Sequence, residues 1–194
     1  MRIAYADPPY VGQAKKHYRN DPSGIPAAEV DHVALFAQLE HFDGWALSAS
    51  SPSLFGPAGL CAIAPAGARM GSWVKPFGVF RPGVNPAYVW EPVIFKPARS
   101  GRRDIPTVRD FGRDSDLGPA VAANITLRKG VHGAKPPKFA RWLFDLLGAD
   151  PSDTFADLFP GSGAVSDEWV RWMLEARAPV SPVAQALVTA ATKP

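Results

Sequence analysis

The chain has 194 residues, 46% of them hydrophobic and 20% charged, an ordinary balance for one globular domain with a sizeable core. Its apolar runs are too short to span a membrane, and Met1 leads into a charged strand rather than a secretory leader, so a cytoplasmic location is expected. The lone Cys61 excludes an intrachain disulfide and is expected to pack in the interior. His17, His32, His41 and His132 lack metal-ligand spacing, which argues against a zinc site.

The first ten residues organise the rest. Residues 3–6 are a short apolar run that reads as a buried strand, stopped by Asp7-Pro8-Pro9. Neither proline can donate to a sheet ladder, so the chain must leave the sheet there. The Asp7 carboxylate, the Pro8 carbonyl and the Tyr10 ring are thus presented at the C-terminal end of a strand, where open α/β sheets bind ligands. An exocyclic amine on a nucleobase is a poor nucleophile because its lone pair is delocalised into the ring. Two acceptors that each take one N–H turn that lone pair toward an electrophile and stabilise the charge that develops. Tyr10 is placed to stack on a base taken out of its helix. The bland reading of Asp-Pro-Pro is a strand-ending turn.

Residues 11–26 are polar and basic, with Lys15 and Lys16 as candidate DNA contacts. They read either as a loop closing over a substrate or as a surface connection. Pro26 suits a helix start, and Val30, Val33, Ala34, Phe36 and Ala37 recur at helical spacing up to about Phe42, with Gly44 as the stop. Residues 45–50 read as a second strand, which makes a βαβ unit and predicts a parallel sheet. The Ser50-Ser51-Pro52-Ser53 turn follows it. Residues 60–64 and 69–74 are strand candidates, and residues 87–95 alternate as a strand that Pro92 demotes to an edge or a bulge. Glu91 within it is expected to form a structural ion pair.

The stretch from Lys96 to Arg113 carries Lys96, Arg99, Arg102, Arg103, Arg109 and Arg113 against Asp104 and Asp110. It belongs to a long loop, residues 96–118, in which Arg99, Arg102 and Arg103 are candidate phosphate contacts and a solvated basic loop is the alternative. The net charge of +3 and a pI near 9.1 permit such binding. Residues 124–127 read as a strand. After Lys135-Pro136-Pro137 comes a helix with the stripe Phe139, Trp142, Leu143, Leu146 and Leu147, ended by Gly148. Residues 154–158 are a strand, residues 165–175 a helix. Between them, Gly161-Ser162-Gly163 lets backbone approach a ligand closely at a helix N-terminus. A domain over residues 1–177 and a mobile tail over 178–194 are expected.

Asp7-Pro8-Pro9-Tyr10 at a strand end resembles the catalytic motif of the amino-group DNA methyltransferases, which act on N6 of adenine or N4 of cytosine. The stretch from Asp157 through Phe159 to Gly161-Ser162-Gly163 resembles their S-adenosylmethionine motif, and Lys135-Pro136 a pair often found before it. The order, catalytic motif first, resembles the permuted β class. The resemblance implies a small, doubly wound, mostly parallel α/β sheet of the Rossmann-like methyltransferase type. It implies that Asp7, Pro8, Pro9 and Tyr10 handle the amine, and that Asp157, Phe159, Gly161, Ser162, Gly163 and, less directly, Lys135 hold S-adenosylmethionine. The partner it implies is duplex DNA with a flipped base, adenine before cytosine. A specificity subunit, a homodimer, and a bacterial or phage setting are consistent with it. Family members usually add a strand after the glycine helix whose acid holds the cofactor ribose. None is visible here, leaving Asp167, Glu168 or a partner for that role. The rival reading is a non-catalytic DNA- or nucleotide-binding subunit of a modification complex.

Overall fold

The computed structural model describes residues 1–10, 29–56, 58–74, 89–100, 105, 107–110 and 135–177, the side chains of 108–110 excepted. Strand β1 (Arg2–Ala6) is buried from Ile3 onward and paired in parallel with β2 (Gly44–Ser48) on one side and β6 (Thr154–Asp157) on the other. A strand flanked and covered on both faces has no solvent side, which is why its sequence is apolar without alternation. Its side chains still alternate in direction: Ile3 and Tyr5 join one core, Ala4 and Ala6 the other.

Among the described residues the sheet has six strands in the order β5-β3-β4-β2-β1-β6, with β3 at Arg69–Val74, β4 at Trp90–Lys96 and β5 at Val108–Asp110. β4 is antiparallel to both β2 and β3, while β3 and β5 are parallel. The sheet is therefore mixed, with one reversed strand. Pro92 lies inside this interior strand rather than at an edge. Its carbonyl accepts from Ala49 N–H, just past the last β2–β4 partners, Ser48 and Val93. The missing proline donor thus falls where the β2 ladder has already ended.

Helix α1 (His32–Leu39) covers the Ala4/Ala6 face with Leu35, Phe36 and Leu39. It begins later than Pro26, because the Asp31 side chain accepts from Val33 N–H at 2.9 Å and Ala34 N–H at 3.1 Å. The expected stripe is displaced: Val33 is 62% exposed, and Ala34 and Ala37 also face solvent. Gly44 starts β2 instead of stopping the helix; a Cβ there would sit 2.4 Å from the Ala98 nitrogen. Residues 60–64 are not a strand. Leu60–Ile63 forms a single helical turn, α2, closed by Ala64 N–H to the Leu60 carbonyl at 2.9 Å, with Leu60 alone buried. Cys61 on that turn is exposed, against the expectation of packing.

The opposite face is covered by α3 (Pro137–Leu147) and α4 (Ala164–Arg177). The stripe expected for α3 is buried in full, and Gly148 caps it at φ 63°. Phe144, Phe155, Trp169 and Trp172 join α3, β6 and α4 through ring pairs at 5.0–5.6 Å between centroids. Helices on both faces of an open mixed sheet make this an α/β domain. Among the described residues no helix is long and apolar enough to cross a membrane. Residues 11–28, the candidate strand at 124–127, most of the 96–118 loop apart from β5, and the tail from 178 lie outside the described residues.

Candidate functional site

β1 continues through α1 to β2 across one face, whereas β6 lies on its other side between helices that cover the opposite face. Neighbouring strands whose connections part to opposite faces open a crevice at their C-terminal ends, and ligands of such sheets bind there. Both motifs found in the sequence end on this crevice. Asp7 follows the last residue of β1, and Asp157 ends β6 as the register partner of Tyr5. Leu158 N–H donates to the Tyr5 carbonyl at 2.9 Å, so the pairing persists as the two chains leave the sheet.

Asp7 continues the alternation of Ile3 and Tyr5 and meets Lys135, whose Nζ donates to Oδ2 at 2.7 Å. Lys135 is a buried lysine, its side chain 6% exposed, with Glu91 Oε2 at 3.7 Å as a second carboxylate neighbour. Its ammonium also sits 5.8 Å from the ring centroids of both Trp73 and Phe139. Burial opposes the charge, but Asp7 above all, with Tyr5 and Glu91, more than offsets this and holds the lysine pKa above the ordinary range. Beneath Asp7 the Tyr5 hydroxyl is bonded to Ser48 at 2.8 Å. Burial first and then the Asp7 charge push Tyr5 well up, so it is a neutral floor to the site. Pro8 and Pro9 are buried and Tyr10 is half-buried.

Asp157 is tied down from two directions: Phe159 N–H donates to Oδ1 at 3.3 Å and the Ser166 hydroxyl to Oδ2 at 3.0 Å. Burial raises its pKa; the Ser166 and Phe159 hydrogen bonds counter that, and the Asp7 charge adds to it. The chain then turns through Gly161 at φ 48° and Gly163 at φ 74°. A Cβ on Gly163 would meet nothing within 4 Å, so the demand there is conformational and the space beside it is open. Gly161 and Ser162 are exposed and lead into the first turn of α4.

Asp7, Pro8, Pro9, Tyr10, Asp157, Phe159, Gly161, Ser162, Gly163 and Lys135 therefore come from two adjacent strand ends and the segment entering α3. Lys135 touches Asp7 rather than the glycine turn. Glu91 forms the expected ion pair, and its partner is this lysine. Sequence reasoning missed Ser166, whose signal is a hydroxyl in the first turn after the glycines, and Ser48, two residues beyond Ala46, the β2 partner of Tyr5. Ser50 and Ser53 bond each other at 2.6 Å within a 3-10 turn (Ser51–Leu54), which is the turn reading of that segment.

Arg99 and Glu168 are held elsewhere. Arg99 is bonded to Asp153, just before β6, and to the Gly148 carbonyl that caps α3, at the opposite end of the strands from Asp7. It is occupied as a structural cation and not offered to a phosphate beside the crevice. Glu168 is buried against Arg141 and Arg171, while Asp167 is exposed. Lys15, Lys16, Arg102 and Arg103 lie outside the described residues. Among the described residues no group of His, Cys, Asp and Glu could hold a metal ion. Neither a protein-family model nor a curated protein matches this chain.

Proposed function

We propose that this domain transfers a methyl group from S-adenosylmethionine to an exocyclic amine of a DNA base, N6 of adenine ahead of N4 of cytosine, on a small Rossmann-like methyltransferase fold. One observation carries the reading. The Asp7-Pro8-Pro9-Tyr10 segment and the Asp157-to-Gly163 turn leave adjacent parallel strands at the same edge, in register at Tyr5 and Asp157. Two motifs more than a hundred residues apart would share a crevice by chance only rarely, and a group transfer needs its two binding sites side by side.

The cofactor supplies a methyl group on a sulfonium, an electrophile that needs no acid catalyst. Asp157, whose negative charge is disfavoured by burial, suits a cationic ligand group beside it. The open space at Gly163 admits a ligand against the backbone. Asp7 and the Pro8 carbonyl each accept one N–H of the base amine, which directs its lone pair and stabilises the growing positive charge. Once methylated, the nitrogen is a strong acid, so its proton passes readily to water. Tyr10, half-buried at the mouth, packs on the base face.

The test is incubation with unmethylated DNA and methyl-labelled S-adenosylmethionine, followed by digestion and mass spectrometry of the nucleosides, with Asp7→Ala in parallel. Labelled N6-methyldeoxyadenosine or N4-methyldeoxycytidine that disappears in Asp7→Ala is expected and identifies the base. Absence of label together with no cofactor binding by calorimetry refutes the proposal and favours a binding-only subunit.

A further inference from the structure

Three carboxylates, Asp7, Glu91 and Asp157, gather around the ends of β1, β4 and β6. An amine-holding aspartate must stay ionised, because a protonated carboxyl turns one of its oxygens into a donor. Crowded carboxylates resist that, since each disfavours the charge of the next. The Asp157 carboxyl is raised chiefly by burial, and the Asp7 charge adds a smaller push in the same direction. Lys135 is the cation that meets this crowding. Its Nζ bonds Asp7 Oδ2 at 2.7 Å, lies 3.7 Å from Glu91 and sits 5.8 Å from the centroids of both the Trp73 and Phe139 rings.

We infer that Lys135 is a positioning residue for the proposed reaction, holding Asp7 ionised and oriented so that it acts as a hydrogen-bond acceptor rather than as a general base. The placement of Lys135 is over-determined. It precedes Pro136, the N-cap of α3, and Pro137, the first helical residue, so the backbone is rigid where the side chain departs. The residue after β1 and the elements β3, β4 and α3 each contribute a group that touches or faces the ammonium: Asp7, Trp73, Glu91 and Phe139. The ionisable groups facing it are Asp7, Glu91 and the Tyr5 hydroxyl, with Asp157 across the crevice from Asp7. A carboxylate clamped this way is a weak base, which suits an acceptor of N–H bonds and not a group that removes a proton before attack.

This inference deepens the proposed function, yet it has a readout independent of activity. Side-chain carboxyl signals of carbon-13 aspartate-labelled protein are followed by NMR through a pH titration, with the Asp7 signal assigned by its loss in Asp7→Asn. In Lys135→Met the Asp7 midpoint is expected to rise by about 1 pH unit or more, as loss of a partner cation at hydrogen-bonding distance implies, and Lys135→Arg is expected to reverse most of it. The acid limb of the methylation rate should move with it, through kcat and not KM. Should Lys135→Met not fold, carbon-13 lysine-labelled Asp7→Asn supplies the reciprocal measurement: the Lys135 midpoint should fall relative to native protein. An Asp7 midpoint unchanged in Lys135→Met, or a Lys135 midpoint unchanged in Asp7→Asn, overturns the inference. Loss of the methylation reading alone would leave the coupled titration standing.

Discussion

Replacing Arg99 with Met separates a structural cation from a DNA contact. Asp153 has no exposed side-chain surface and takes Arg99 on both oxygens, with the Met1 amine at 2.7 Å and the Asp150 N–H at 2.9 Å completing its partners. Removing one member of a fully buried pair typically costs about 3–5 kcal/mol. Here Arg99 is 32% exposed, so solvent screens it, and the remaining donors still hold Asp153. The Gly148 carbonyl at the α3 cap also loses its 3.0 Å bond to the guanidinium. A loss of about 2–3 kcal/mol at neutral pH is expected, or roughly 5–10 °C in Tm. The pH dependence adds a signature. Arg99 holds the Asp153 carboxyl well below the usual range. A group depressed in the fold contributes stability above its unfolded pKa and loses it as pH falls toward the folded value. The gap between native protein and Arg99→Met should therefore be full at pH 7 and narrow below about pH 4. Urea unfolding at several pH values, with DNA affinity measured beside it, is the assay. Unchanged stability with weakened DNA binding would refute the structural assignment.

Asp157→Asn should stabilise the protein while weakening S-adenosylmethionine. Its pKa is raised by burial, so its contribution to stability is present at low pH and lost as pH rises through the folded value, leaving a cost at neutrality. Solvent screening keeps this below about 1 kcal/mol, or about 2 °C in Tm, and calorimetry should show the loss of cofactor affinity alongside it. A Tm that falls would contradict the assigned environment. Gly44→Ala places a methyl against the backbone of Ala98, with contacts of 2.4 and 2.7 Å that no side-chain rotation relieves. About 3 kcal/mol of destabilisation is expected, read as a lower urea midpoint with little change in slope, and a neutral result would mean the β2 start can shift.

Local signals in the chain were sufficient wherever one residue type has few structural options. Asp-Pro-Pro had to end a strand because two consecutive residues lack an N–H. Gly148 had to end a helix because its φ of 63° disfavours a side chain, and the stripe from Phe139 to Leu147 had to face a core. The two motif-bearing strand ends were legible for the same reason. Choices settled by partners distant in the chain were not. Residues 60–64 look like a strand, but only Leu60 is buried, so a single turn serves them better. Pro92 argues for an edge until the end of β2 is known, and Val33 for a core face until Asp31 sets the helix phase. Arg99 looked like one more cation in a basic loop, because nothing local announces that Asp153 lies 54 residues on and fully buried. Lys135 is the same case at the site: its sequence neighbours are prolines, while its chemistry comes from Asp7, 128 residues away. Charge and hydrogen-bond partners depend on distance in space, so residue type could nominate these groups and only the packed sheet could pair them.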